Sequence, residues 1–481
     1  MFSFVQKGAK LVAGISILMM LQSCATYYQR IQGYHDGLAA GNFSKANDDL
    51  DKIGLLKADR NRVLYLMEKG RTLHLMQLYD SSNRYLNEAD LAIEDSRKSV
   101  KDVLATQLLN PMLTKYQPED FETFMLYYYK ALNYCYLGDM EAALVEVRRI
   151  ALQSNRQEDK NNGKEGKYSG DAFAMILQGV VYEKANDINN AFIAYRNAAD
   201  LFLNNSNEYY GVKIPLQLKK DVLRTASKMG FSAELERYEK LFDLTYKPAP
   251  AAEGGEAVIF WESGMAPVKD QQTIQFNIIA NGGNYFFRDN AGFYNYPFDN
   301  TIQGYNSNLR LSDIQMFAVA LPKYVPQPMA YTSGSISLSG ALYSFEKAEN
   351  INVVAEKTLQ QRFGKELATA LSRMALKKLT ELALTPKRND KQNKTKKEKN
   401  EEAARELVAL GLKIFNRATE KADTRNWQSL PGTIFYARIP LDRGINTLTV
   451  TTQGTGGQKK EQLVVLEGKP GIQFYSLYSM R

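Results

Sequence analysis

Residues Gly138-Asp139-Met140-Glu141-Ala142-Ala143-Leu144-Val145-Glu146-Val147-Arg148-Arg149-Ile150 decide how the first half of this 481-residue chain folds. A Gly-Asp turn opens the run, the small Ala143 follows, and Val147 and Ile150 continue an apolar stripe at helical spacing. The arrangement recurs at Gly41-Asn42-Phe43 with Ala46, Leu50 and Ile53, and at Asn186-Asp187-Ile188 with Ala191, Tyr195 and Ala198. A tight turn, a small residue that lets two helices approach, and then an apolar stripe make the second helix of a helix-turn-helix unit.

The helices expected before these turns agree. Ala131 and Tyr134 precede Gly138, Gly179 and Tyr182 precede Asn186, and Gly70, Leu73, Ser82, Leu86 and Ala89 form a more degenerate copy. Small residues and aromatic packing partners at these offsets resemble tetratricopeptide repeats, over about four helix pairs within residues 24–246. Asn110-Pro111 and the polar stretch 154–169 interrupt them. The resemblance implies an α-solenoid whose concave face holds an extended segment of another protein. Tyr127, Tyr128 and Tyr129 cannot all point the same way on a helix, so at least one of them is expected at a surface.

A Pro/Ala/Gly-rich linker, 247–255, ends the helical pattern. Beyond it, 257–261, 273–279, 314–321, 335–343, 434–439, 446–451 and 462–466 are short β-rich runs separated by Gly, Pro or Asn turns. They predict an antiparallel, sandwich-like domain over 256–481. A helical insertion at about 350–425 interrupts it, with helices at 355–384 and 401–422 joined by a Lys-rich loop, 386–400. The expected fold class is therefore α+β and multidomain.

Where the insertion rejoins the strands stands Ala422-Asp423-Thr424-Arg425-Asn426-Trp427-Gln428-Ser429-Leu430-Pro431. Arg425 has a planar fork suited to a carboxylate, Asp423 is placed to pair with it or cap a turn, and Trp427 is suited to covering a core. These three residues are expected to form a structural junction, with a binding site as the alternative. Together with 215–223 and Pro322-Lys323-Tyr324, the stretch resembles an uncharacterised family of bacterial envelope lipoproteins. In that family a repeat-like helical half precedes a strand-rich half bearing an Ala-Asp-Thr-Arg-x-x-Trp-x-x-Leu-Pro signature. The family has no assigned catalysis. The resemblance implies a gene encoded near those of other envelope lipoproteins, including types that activate cell-wall synthases.

The N-terminus carries an address of its own. Lys7 and Lys10 precede the apolar run 11–21, and Ser23 precedes Cys24. That run is shorter than the roughly 20 apolar residues of a membrane-spanning helix. Residues 1–23 thus read as a lipoprotein signal peptide, cleaved to leave Cys24 for acylation and attachment to the membrane. The residues after Cys24 hold no acidic cluster, so the expected location is the outer membrane, lipid-anchored and facing the periplasm. Cys135, the second of two cysteines, lies in an apolar helical run and is expected to be a buried, inert thiol.

The formal charge of +8 does not indicate nucleic acid. Without Lys7 and Lys10 it falls to +6, and seven basic against two acidic residues between Lys387 and Lys399 account for +5 of it. His35 and His74 lie on separate predicted helices without neighbouring ligands or nucleophiles, so no metal site, catalytic triad or cofactor is expected. Gly454-Thr455-Gly456-Gly457 lacks the Lys-Ser/Thr of a phosphate-binding loop. The sequence therefore predicts no enzyme. It predicts a lipid-anchored envelope protein whose helical repeats hold a protein partner. The alternatives are a carboxylate-dependent enzyme acting on glycan or peptidoglycan, and a structural lipoprotein whose sheet joins an assembly.

Overall fold

The repeated turns owe their form to two residues each. Gly41, Gly138 and Asn186 sit in the left-handed region, with φ of 70°, 78° and 61°. The next residue then caps the following helix: Asn42, Asp139 and Asp187 accept the N–H groups of Lys45, Ala142 and Asn190 at 3.1, 3.0 and 3.2 Å. In this computed structural model, residues 26–98, 111–161, 167–281, 284–297, 316–384 and 421–480 are described. Cys24 with its signal peptide, the Lys-rich loop and nearly all of the second insertion helix lie outside them.

The turns join antiparallel helix pairs. After α1 (Tyr27–Arg30), these are α2 (Gln32–Ala39) with α3 (Phe43–Leu50), α4 (Arg62–Leu75) with α5 (Tyr79–Lys98), and α6 (Asp120–Leu137) with α7 (Met140–Asn161). Two more pairs follow, α8 (Ala172–Lys184) with α9 (Ile188–Leu203), and α10 (Leu216–Lys228) with α11 (Ser232–Phe242). Between α9 and α10 lies a small hairpin, β1 (Glu208–Tyr209) and β2 (Val212–Lys213). The small residues read from sequence mark the closest approaches. A Cβ on Gly179 would lie 2.4 Å from the Tyr195 ring, and one on Gly70 would lie 2.5 Å from Leu86.

The strands are β3 (Glu256–Ser263), β4 (Val268–Asn281), β5 (Asn284–Asp289), β6 (Asn295–Pro297), β7 (Met316–Val325), β8 (Ser333–Leu338), β9 (Ala341–Ser344) and β10 (Glu346–Asn350). After helix α12 (Ile351–Leu384) come β11 (Thr433–Pro440), β12 (Gly444–Gln453), β13 (Lys459–Gly468) and β14 (Ile472–Ser479). They form three four-stranded sheets, ordered β10-β11-β3-β14, β13-β12-β8-β9 and β6-β5-β4-β7. Pairing is antiparallel except for β14, which runs parallel to β3 and so departs from the purely antiparallel expectation. The expected single run at 335–343 is a hairpin turned at Ser339-Gly340, both with positive φ.

Alternation along β3 shows where the core sits. Ala257, Ile259 and Trp261 pack with Ile336, Leu448 and Val450 of the second sheet, whereas Val258 and Phe260 join the core of the helices. β11 divides likewise, with Phe435 and Ala437 on one side and Ile434 and Tyr436 on the other. The first sheet is thus a middle layer with helices on one face and a sheet on the other. α12 lies on the third sheet, placing Leu367, Ala370 and Leu371 against Phe276 and Val319.

One expectation about the helices fails. Tyr127, Tyr128 and Tyr129 are all buried, because α6 is enclosed by its neighbouring helices and by the middle sheet. Cys135 is buried, and desolvation pushes its thiol up to about 12.

Gly179→Ala should lower stability by about 1–3 kcal/mol through overpacking against Tyr195, despite a helix-propensity gain of about 1 kcal/mol. Gly33→Ala in α2 has open space around its Cβ and should leave stability unchanged or raised. Denaturant midpoints of the two variants check both outcomes.

Candidate functional site

The signature read from sequence runs through the interior. Residues 421–427 adopt neither helix nor strand, and from Thr424 to Leu430 every residue is buried. A buried backbone outside helix and strand needs partners for its N–H groups. Here carboxylates supply them. Trp427 N–H donates to Glu122 Oε1 at 2.7 Å, and the N–H groups of Gln428 and Ser429 donate to the two oxygens of Glu68 at 2.9 and 3.3 Å.

Each carboxylate comes from a first helix of a pair. Glu68 on α4 also accepts Tyr34 Oη at 3.1 Å and Tyr27 Oη at 3.5 Å. Glu122 on α6 accepts Tyr116 Oη at 2.5 Å and the Glu119 N–H at 2.7 Å. Burial pushes the Glu68 carboxyl up to about 7 against the pull of its hydrogen bonds. Burial and then the neighbouring Glu119 charge push Glu122 up to about 7 as well.

Asp423, Arg425 and Trp427 are brought together at this place. Asp423 takes Arg425 through both oxygens, at 2.9 and 2.6 Å. The Arg425 guanidinium, 1% exposed as a residue, donates onward to Asn61 Oδ1 at 2.7 Å and to the carbonyls of Thr114 and Pro111 at 3.1 Å each. Trp427 is fully buried, donates to Ser429 Oγ at 3.0 Å, and meets the Tyr129 ring edge-on at 5.9 Å. Asp423 also accepts the Arg425 N–H at 3.0 Å, so it both pairs with the side chain and bonds the backbone two residues on.

Three further ion networks lie between helices and strands. Arg71 of α4 pairs with Glu262 of β3, whose carboxylate also accepts Tyr129 Oη at 3.1 Å. Glu119 is held by Lys269 of β4 at 2.8 Å and by Arg362 of α12. Burial alone would raise the Glu119 carboxyl, but the Arg362 and Lys269 charges hold it well below the usual carboxylate range. Arg438 of β11 joins Glu183 of α8 at 2.8 Å and Asp221 of α10 at 3.3 Å.

Sequence reasoning missed these carboxylates, although a signal was present. Glu68, Arg71 and His74 stand three residues apart on one face of an apolar helix, and Glu262 ends the run Ile259-Phe260-Trp261. Both histidines are packing residues. Burial lowers His74 to about 3 and His35 to about 4. His74 lies 2.5 Å from Asn133 Oδ1 and 2.9 Å from Tyr478 Oη.

The arrangement binds the chain's own return segment. The oxygens of Glu68 and Glu122 are taken up by backbone N–H and tyrosine hydroxyl groups, and the buried Asp171 accepts the Tyr168 hydroxyl and the Ala174 N–H at 2.8 Å each. A small depression beside Trp261, Val450 and Leu477, with a cavity volume of about 10 Å³, is lined by neither Glu68 nor Glu122. Among the described residues, no group of three or more His, Cys, Asp or Glu could hold a metal ion. In comparisons with known proteins, no family model, no curated protein and no solved structure matches this chain.

Trp427→Ala should cost about 3–5 kcal/mol in folding stability, read as a lowered thermal midpoint. Glu68→Gln tests the carboxylate through pH. Its folded value of about 7 lies above the ordinary 4.5, so the folded state binds the extra proton. That contribution is complete below about pH 4.5 and is lost as pH rises through about 7. Glu119 runs oppositely, stabilising above the ordinary value and failing as pH falls. Denaturation of Glu68→Gln should therefore show its stability relative to wild type improving by up to about 3 kcal/mol between about pH 4.5 and 7.5.

Proposed function

We propose that this chain is a lipid-anchored envelope protein, acylated at Cys24, that binds and scaffolds a protein partner through the outer faces of tetratricopeptide-like helix pairs. The observation that carries this reading is the orientation of the pairs. The first helices α4, α6 and α8 are buried almost throughout, covered by the middle sheet and the return segment. An open concave groove for an extended peptide, the arrangement implied by the repeat resemblance, is therefore filled by the chain itself. The second helices remain outward. Leu91 of α5 is 65% exposed and Leu152 of α7 is 55% exposed, flanking a seam where Arg149 and Arg156 reach Asp90 and Glu94 at 2.7 and 3.9 Å. Exposed aliphatics beside fixed charges suit a protein surface.

The N-terminal signal features and the Ala-Asp-Thr-Arg-x-x-Trp-x-x-Leu-Pro stretch support the envelope setting. Among the described residues, no helix is long and apolar enough to cross a membrane. The engagement of Glu68 and Glu122 within the chain favours a binding protein over a carboxylate hydrolase.

A photo-crosslinking residue at position 91 or 152 of the full-length protein in its native membranes should capture a discrete partner. The pair Leu91→Asp and Leu152→Asp should weaken its co-purification by about tenfold with melting unchanged, as loss of buried interface side chains implies. Unchanged co-purification would remove the α5/α7 face from the proposal.

A further inference from the structure

Thr26 and Tyr27 are fixed against the core. Thr26 caps α1, its hydroxyl accepting the Gln29 N–H at 3.4 Å while its own N–H donates to Gln29 Oε1 at 2.9 Å. Tyr27 is fully buried, with its N–H on Thr424 Oγ1 at 3.1 Å. Cys24 stands two residues before Thr26, a reach of at most about 7 Å.

From this we infer that the protein has no tether and lies directly on an anionic bilayer surface, with the loops at 57–62 and 111–115 against the lipid headgroups. The inference rests on the proposed acylation of Cys24. Both loops belong to the cluster where the chain begins. Arg425, next to Thr424, holds Asn61, Pro111 and Thr114, and Tyr116 N–H donates to the Arg60 carbonyl at 2.7 Å. Their charge suits the partner: Lys57, Arg60, Arg62 and Lys115 stand against Asp59 and against Glu88, which meets Arg62 at 3.5 Å, a net +2. The Asp59–Lys115 pair at 3.4 Å is exposed on both sides and so neutralises little. Leu113, 55% exposed, offers an apolar side chain between these charges. Basic residues flanking an exposed aliphatic are the chemistry that settles at an anionic headgroup layer.

The test uses the full-length acylated protein in vesicles of phosphatidylcholine with about 30 mol% phosphatidylglycerol, doped with a headgroup nitroxide quencher. A fluorophore is placed on Leu113→Cys or, for comparison, on Leu342→Cys, which is 71% exposed on the outer sheet. Cys135 is buried and Cys24 is acylated, so each introduced thiol reacts alone. The expected result is at least about threefold stronger quenching at 113 than at 342, falling toward the 342 level in the triple variant Arg60→Gln, Arg62→Gln, Lys115→Gln. Intact mass of the same samples reports the acyl chains. Equal quenching at both positions in acylated protein overturns the docked face and leaves the lipoprotein reading standing. A Cys24 without acyl chains overturns both. Quenching that the triple variant leaves unchanged overturns recognition of anionic lipid.

Discussion

A stretch of backbone from Thr424 to Leu430 lies in the core outside any helix or strand, and the rest of the structure depends on satisfying it. Each buried N–H left without an acceptor would cost on the order of 1–3 kcal/mol. Glu68 and Glu122 accept three of them, at residues 427, 428 and 429. The solution has its own cost, since a buried carboxylate is expensive unless neutralised or well bonded. Burial shifts both groups up to about 7, so their protonation varies with pH near neutrality.

This constraint joins the helical and strand-rich parts of the chain. The carboxylates come from α4 and α6, the N–H groups come from the approach to β11, and Val258, Phe260 and Ile434 of the middle sheet close the same core. The ion networks have the same character. Arg71 with Glu262 and Arg438 with Glu183 each connect a helix to a strand. Buried pairs add little net stability over apolar packing, but removing one partner costs about 3–5 kcal/mol. Their value here is orientation, because each geometry is satisfied only when sheet and helices meet in one register. Deleting the helical part would therefore expose the middle sheet's inner face, leave Glu262 unpaired and leave Arg438 without Glu183 and Asp221, with Glu256 of β3 as its remaining carboxylate.

What was legible in the sequence was local. The Gly-Asn and Gly-Asp turns announced their helices because a left-handed residue followed by a capping side chain is a property of adjacent residues. The runs at 257–261 and 434–439 were readable as strands for a similar reason, although their unbroken apolar character also signals a strand covered on both faces. The burial of Tyr127, Tyr128 and Tyr129 was not readable, because helical periodicity assumes one wet face and α6 has none. The site divides in the same way. Asp423 and Arg425 pair across two residues and were found, while Glu122 and Glu68 lie 305 and 360 residues from their backbone partners.

The position of the junction bears on how the proposed anchor would work. Tyr27 bonds Thr424, whose neighbour Arg425 binds the loops on either side of α4 and α5. The N-terminal end, the return segment and the first helices therefore share one rigid cluster. A long linker would let a lipid-anchored body turn freely and sample partners at many heights. With Tyr27 buried three residues after Cys24, the orientation of α5 and α7 relative to the proposed attachment point would be set by the core. The interactions that stabilise the fold would also fix the height and direction in which a partner is held.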